Sequence, residues 1–201
     1  MTTAIHKGNT KGTKLPPEAL ERDEIDALMA ACSNRAPTGI RNRALLVVLW
    51  RGMLRINEAL HLKPADFNAT DGKVRVLVGK GGKARTVALN AEAATLVARW
   101  LDRRTKLGIN NHRMLFCTLD GGQMQDSYIR NMLPRLALRA GITKRVHAHG
   151  LRHSGAVAML RAGVDIGLIS KGLGHASIAT TSLYLDHIEP TRVLDAMRNM
   201  S

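Results

Sequence analysis

In "LERDEIDALMAACS" the apolar positions Leu20, Ile25, Leu28 and Met29 fall at the spacing of one helix face. A second helix is predicted over about residues 39 to 51. It is almost entirely apolar after Arg43, as a helix central to a core would be. Gly52 interrupts it, and "RINEALHL" resumes the helical spacing. At Asp71-Gly72 the period changes to two. Val74, Val76 and Val78 alternate with Lys73, Arg75 and Leu77, and β-type residues return after "GKGG". This predicts a hairpin with a glycine-rich turn. From Asn90 onward the pattern is helical again, over about 91 to 106, 126 to 140, 150 to 162, 165 to 173, 178 to 186 and 191 to 199. Gly141, Gly163 and Gly174 stand where helices stop, and Pro190 separates the last two segments. The expected fold class is mostly α with a small antiparallel β-sheet. Residues 1 to 17, rich in Lys, Gly and Thr and ending in Pro16-Pro17, read as a flexible basic arm.

Composition narrows the partners. Aromatic residues are only 3% of the chain, so the core has to be built from Leu, Val, Ile, Ala and Met. Thirty Lys and Arg face sixteen Asp and Glu, a net charge of +14, and the excess favours a polyanion such as nucleic acid. Cys32 and Cys117 form no CxxC pattern and are too few for a disulfide framework, which fits a reducing cytoplasm. The opening residues are polar and basic, so no secretory leader is expected. The longest apolar run, 44 to 50, is too short to cross a bilayer. A soluble, cytoplasmic protein with no membrane partner is the expectation.

Four short stretches carry candidate chemistry. In "VHAHGLRHSG", His149 and His153 are four apart, but no Cys or carboxylate completes a zinc pattern, and Arg152 between them opposes a cation. His149 and Arg152, three apart at a helix start, can face one anion from the same side. Solvent-facing side chains on a capped helix start would explain that stretch alone equally well. In "RGMLRINEAL", Arg55 sits among Met53, Leu54, Ile56 and Leu60, with Glu58 three residues on to hold it. A surface arginine is the default for such a position by itself. In "GKGGKAR", Lys80 and Lys83 flank two glycines, where an isolated hairpin would need only a solubilising lysine. Tyr184, in "GHASIATTSLYLDH", lies between two leucines, and its hydroxyl, with a free pKa of about 10, needs activation to act as a nucleophile. Tyr128, in "DSYIRNML", lacks such a setting.

The order of these signals is more specific than any one of them. "GMLRINEAL", "GKGGKARTVAL", "HGLRHSGA" and "LGHASIATTSLYLDH" together resemble the catalytic domain of the tyrosine recombinases, or phage-type integrases, over roughly residues 20 to 190. The resemblance implies the DNA breaking-rejoining fold over 18 to 201 and a site-specific recombinase acting on double-stranded DNA through a 3′-phosphotyrosyl intermediate. It assigns Tyr184 as nucleophile, Arg55 and Arg152 as the clamp on the non-bridging oxygens, and Lys80 as general acid, with Lys83 as the fallback. It assigns His149 to proton movement, His175 to a hydrogen bond on the phosphate, and Glu58 to a supporting role. Lys83 and Arg85 are expected to contact the DNA. Two guanidiniums and a lysine supply the charge that other phosphoryl-transfer enzymes take from Mg²⁺, so neither metal nor ATP is required.

Most members carry a further helical DNA-binding domain ahead of the catalytic one. Only about twenty residues precede the first predicted helix here, which is expected of a short member or of a fragment. The last predicted helix, with Val193, Leu194 and Met197, suits a neighbouring protomer in a dimer or tetramer on DNA as well as its own domain. Type IB topoisomerase-like relaxation and an inactive DNA-binding accessory protein are the alternative readings. The charge excess predicts that DNA affinity falls by about 10³ or more between roughly 50 and 200 mM salt. Fluorescence anisotropy across a salt series measures this, and a flat series would contradict it.

Overall fold

The computed structural model describes residues 18–77 and 84–175, together with Ser177, Thr181 and Arg198. Among them the elements run α1 (Arg22–Ala30), α2 (Pro37–Trp50), α3 (Ile56–Leu60), β1 (Lys73–Val76), β2 (Arg85–Ala88), α4 (Ala91–Lys106), α5 (Asp126–Arg139), α6 (Ala148–Arg161) and α7 (Ile166–Leu173). The mostly helical class with one small antiparallel sheet is what the sequence predicts. The helices expected over 178 to 186 and 191 to 199 lie largely outside the described residues, as does the hairpin tip.

Helix α2 is the centre of the core. It is buried on every side from Ala44 to Trp50 and packs against α3, α4 and α6. A helix apolar all round has no solvent face to offer, so its neighbours have to enclose it. From α4, Val97 and Trp100 close one side, and the Trp100 indole N–H donates to the Leu115 carbonyl at 2.8 Å. Asn90 caps α4 by accepting from the Ala93 N–H. The helix runs over the predicted residues, and from its last turn buried Arg104 donates to the carbonyls of Asn110, Arg113 and Met114 in the segment that follows. Both cysteines are buried free thiols, and burial pushes the Cys32 thiol up to about 11.

The two strands pair with Val74 opposite Val87 and Val76 opposite Arg85. Val74, Val76 and Val87 face the core, so the sheet has one buried and one exposed face. A second apolar cluster, of Met53, Ala156, Val157, Ile169 and Leu173, joins α6 and α7 to the α2–α3 connection. Helix α6 begins at Ala148, two residues before the predicted start, because His147 is its cap: the ring Nδ1 accepts from the Gly150 N–H at 2.7 Å. Gly141, Gly163 and Gly174 all adopt left-handed φ at the ends of α5, α6 and α7, a conformation that favours glycine.

The chain enters the domain by a fixed route. The Leu20 N–H donates to Ser154 Oγ in the middle of α6, and Lys144 bonds both the Ala19 carbonyl and Glu24 just ahead of that helix. No helix among the described residues is long and apolar enough to cross a membrane.

Gly155 sets the closest approach in the core. A Cβ there would lie 2.0 Å from the Trp50 carbonyl oxygen and 2.9 Å from Met53 Cγ. Backbone on one side leaves nothing to yield, so Gly155→Ala is expected to separate α2 from α6. The expected loss is about 3 kcal/mol of stability, at the upper end of overpacking effects. Urea unfolding of the full chain checks this, and a variant as stable as wild type would refute the packing argument.

Candidate active site

The site starts with the break between α2 and α3. Met53 takes a positive φ of 50°, uncommon for a residue with a side chain, and its carbonyl accepts from Arg152 Nη1. Two residues on, Arg55 begins α3. Its backbone N–H donates to Glu58 Oε2 at 2.7 Å and its Nη1 donates to Oε1 at 2.8 Å. The Arg55 side chain remains 29% exposed while that of Glu58 is only 4% exposed. The carboxylate is therefore interior and the guanidinium reaches outward from it.

Arg85 approaches Glu58 from β2. Its Nη1 and Nη2 donate to the two carboxylate oxygens at 2.9 and 2.8 Å, and its Nε donates to the Gly172 carbonyl at 3.0 Å. Burial pushes the Glu58 carboxyl up, but the hydrogen bonds from Arg85 and from Arg55 reverse this and bring it down to about 2. The carboxylate is ionised throughout the physiological range.

Arg152 comes from the first turns of α6 and is buried, while His149 in the same turn is exposed, so the solvent-facing alternative fails for the arginine and holds for the histidine. Its Nη2 donates to the Leu173 carbonyl at 2.6 Å and lies 3.4 Å from His175 Nε2, and its Nη1 is 3.8 Å from Glu58 Oε2. With Arg152 donating to Nε2, the His175 proton sits on Nδ1, which donates to Thr181 Oγ1 at 2.8 Å. Burial, then Arg152 and Arg55, push His175 down to about 4. His149, in the first turn of α6, is pushed down by burial and by Arg152, His147 and Arg55 in turn. Three guanidiniums thus share one carboxylate, and the two histidines beside them are held neutral. The cluster carries excess positive charge and suits an anion with several oxygens.

The structure brings together Arg55, Glu58, His149, Arg152 and His175. Lys80, Lys83 and Tyr184 lie outside the described residues. Arg85, expected to contact DNA, has a side chain that is 12% exposed and bonded to Glu58 and Gly172. The signal for this was in the alternation, since Arg85 shares the inward face of β2 with Val87 and pairs with buried Val76. The Thr181 contact with His175 and the two carbonyls that cradle Arg152 had no counterpart in the pattern.

The sequence profile of the phage integrase family matches residues 18–189, and the chain belongs to that family. Its fold is that of the tyrosine recombinase catalytic domain. Over 170 residues it is 38% identical to tyrosine recombinase XerD of Ralstonia nicotianae, covering 84% of this chain and 55% of the relative. It is 33% identical to XerD of Halalkalibacterium halodurans, covering 95% of this chain and 64% of the relative. The chain therefore spans between about half and two thirds of these relatives' lengths. Among solved structures, XerA recombinase superposes with a TM-score of 0.80 at 31% identity, covering 94% of this chain and 68% of that one. XerH recombinase, bound to a palindromic difH substrate after cleavage, superposes with a TM-score of 0.74 at 31% identity, covering 95% of this chain and 55% of that one.

The depressed His175 fixes a pH dependence. Unfolded histidine titrates near about 6.5, so between that value and about 4 the unfolded chain binds more protons than the folded one. The contribution of His175 to stability is complete above about 6.5 and is lost as pH falls through about 4. The melting temperature of wild type is expected to fall more steeply between pH 7 and 4.5 than that of His175→Gln. Parallel curves would mean that the ring is not held neutral by this site.

Proposed function

We propose that the chain is a tyrosine-type site-specific DNA recombinase, with 18–201 as its catalytic unit, that cuts and rejoins duplex DNA through a 3′-phosphotyrosyl intermediate. The convergence of Arg55, Arg152, His149 and His175 about Glu58 carries this reading. In the reaction, Tyr184 Oη attacks the scissile phosphorus, an O–P bond forms, and the bond to the 5′ oxygen breaks. Lys80 delivers a proton to that leaving oxygen. His149, neutral at physiological pH, is suited to accept the tyrosine proton. Arg55 and Arg152 hold the non-bridging oxygens as charge builds in the pentacoordinate transition state, with His175 beside them. The ester to tyrosine conserves the phosphodiester, so a second 5′-hydroxyl reverses the step on a new strand without ATP.

Site-specific recombination rather than swivelling of one strand is supported by the relatives, which are named as recombinases, and by the DNA substrate of XerH. The palindromic form of that substrate supports an arrangement with at least two copies of this chain on DNA.

Nicked suicide duplexes carrying candidate palindromic sites test the reading directly. Wild type is expected to give a covalent adduct on a denaturing gel, in the presence of chelator and without ATP. Tyr184→Phe is expected to bind the same duplexes and give none. An adduct from the phenylalanine variant would remove Tyr184 as the nucleophile.

A further inference from the structure

Arg85, on β2, faces inward and joins two other parts of the fold, α3 and the end of α7. Its fork spans both oxygens of Glu58, the geometry in which a guanidinium fixes a carboxylate in orientation as well as distance. Each of those oxygens also accepts from Arg55, one from its backbone N–H and the other from its Nη1. The third Arg85 donor reaches the Gly172 carbonyl, and Arg152 holds the next carbonyl, Leu173. These two belong to the end of α7, where carbonyls have no intrahelical partner. Two arginines from different elements thus close one helix end immediately before His175. The fit is tight: a Cβ on Gly174 would stand 3.1 Å from Arg85 Cδ and 3.2 Å from its Nε and Nη1.

From this geometry we infer that Arg85 is a positioning residue of the phosphate clamp. It locks Glu58, and through it Arg55, to the end of α7, so that Arg55, Arg152 and His175 are in register before DNA arrives. The inference rests on the transesterification reading above. It differs from a DNA-contact role, because a side chain spent on Glu58 and Gly172 adds little to affinity. Its work is preorganisation, where a displacement of about 1 Å costs on the order of 100-fold in rate.

The test compares wild type with Arg85→Lys, which keeps the charge and loses the fork. The readout is single-turnover adduct formation at saturating DNA, on a scissile phosphodiester and on the methylphosphonate analogue. The analogue lacks the negative charge that the clamp exists to meet. On the phosphodiester, Arg85→Lys is expected to slow adduct formation on the order of 100-fold, with DNA affinity and its salt dependence unchanged. On the methylphosphonate the difference between the two proteins is expected to shrink to a few-fold, because the clamp then has little to do. Glu58→Gln is expected to show the same pattern, and the double variant to be no slower than the worse single one. Glu58→Gln also carries the test should Arg85→Lys not fold.

Equal slowing on both substrates would reduce Arg85 to a structural residue and overturn the inference. Weakened, less salt-sensitive binding with an unchanged rate at saturation would make it a DNA contact and overturn it as well. No adduct from wild type on either substrate would bring down the transesterification reading and the clamp with it, an outcome distinct from an active wild type with an indifferent Arg85.

Discussion

A buried carboxylate that three guanidiniums share is the constraint on which the rest of this domain depends. Glu58 is almost wholly withdrawn from water, a costly position for a charge unless it is fully hydrogen-bonded. Four N–H donors from Arg55 and Arg85 satisfy it, and they come from α3 and β2. Arg152 completes the set from α6 and carries the connection on to the carbonyls of Met53 and Leu173. The sheet, the α2–α3 break, and the ends of α6 and α7 are thereby referred to one point. Apolar packing around α2 holds the elements near one another, but it is non-directional; the ionic network sets their orientation at the site.

The same network accounts for the local electrostatics. Burial first, and then the concentrated positive charge of the arginines, make protonation unfavourable, so His149 and His175 are both pushed down. Overall charge acts at long range and depends on salt. The cluster acts at contact distance, where screening is weak. On the proposed reading, gathering a polyanion and holding one phosphate are separate tasks, carried by different residues.

Much of this was legible in the chain. The run from Ala44 to Trp50 announced a central helix, the Val74–Val76 alternation announced the hairpin, and α4 lies over the residues its periodicity marked. Those features arise from burial, which leaves a periodic trace in one dimension. Arg55, Glu58, His149, Arg152 and His175, which the fold brings together, were named for a different reason: a resemblance in four motifs, not any geometric signal. What one dimension hid was the direction of charged side chains. The resemblance marks Arg85 only as a DNA contact, and the carboxylate that holds its side chain inward lies twenty-seven residues away. Likewise the start of α6 was set by the ring of His147, a residue the apolar pattern gives no reason to choose as a cap.

The anchoring of the chain's entry has a mechanical side. Residues 19 and 20 are bonded to Lys144 and to Ser154, one just ahead of α6 and the other within it, and the first turns of that helix bear His149 and Arg152. Gly155 seats the same helix directly against the backbone of α2, so α6 has little freedom to bend on its own. A pull applied to the polypeptide at residue 18 is therefore loaded onto α6 as onto a lever whose fulcrum is the contact with Trp50. The helix that bears His149 and Arg152 is thus tied directly to the stretch of chain that leads into α1.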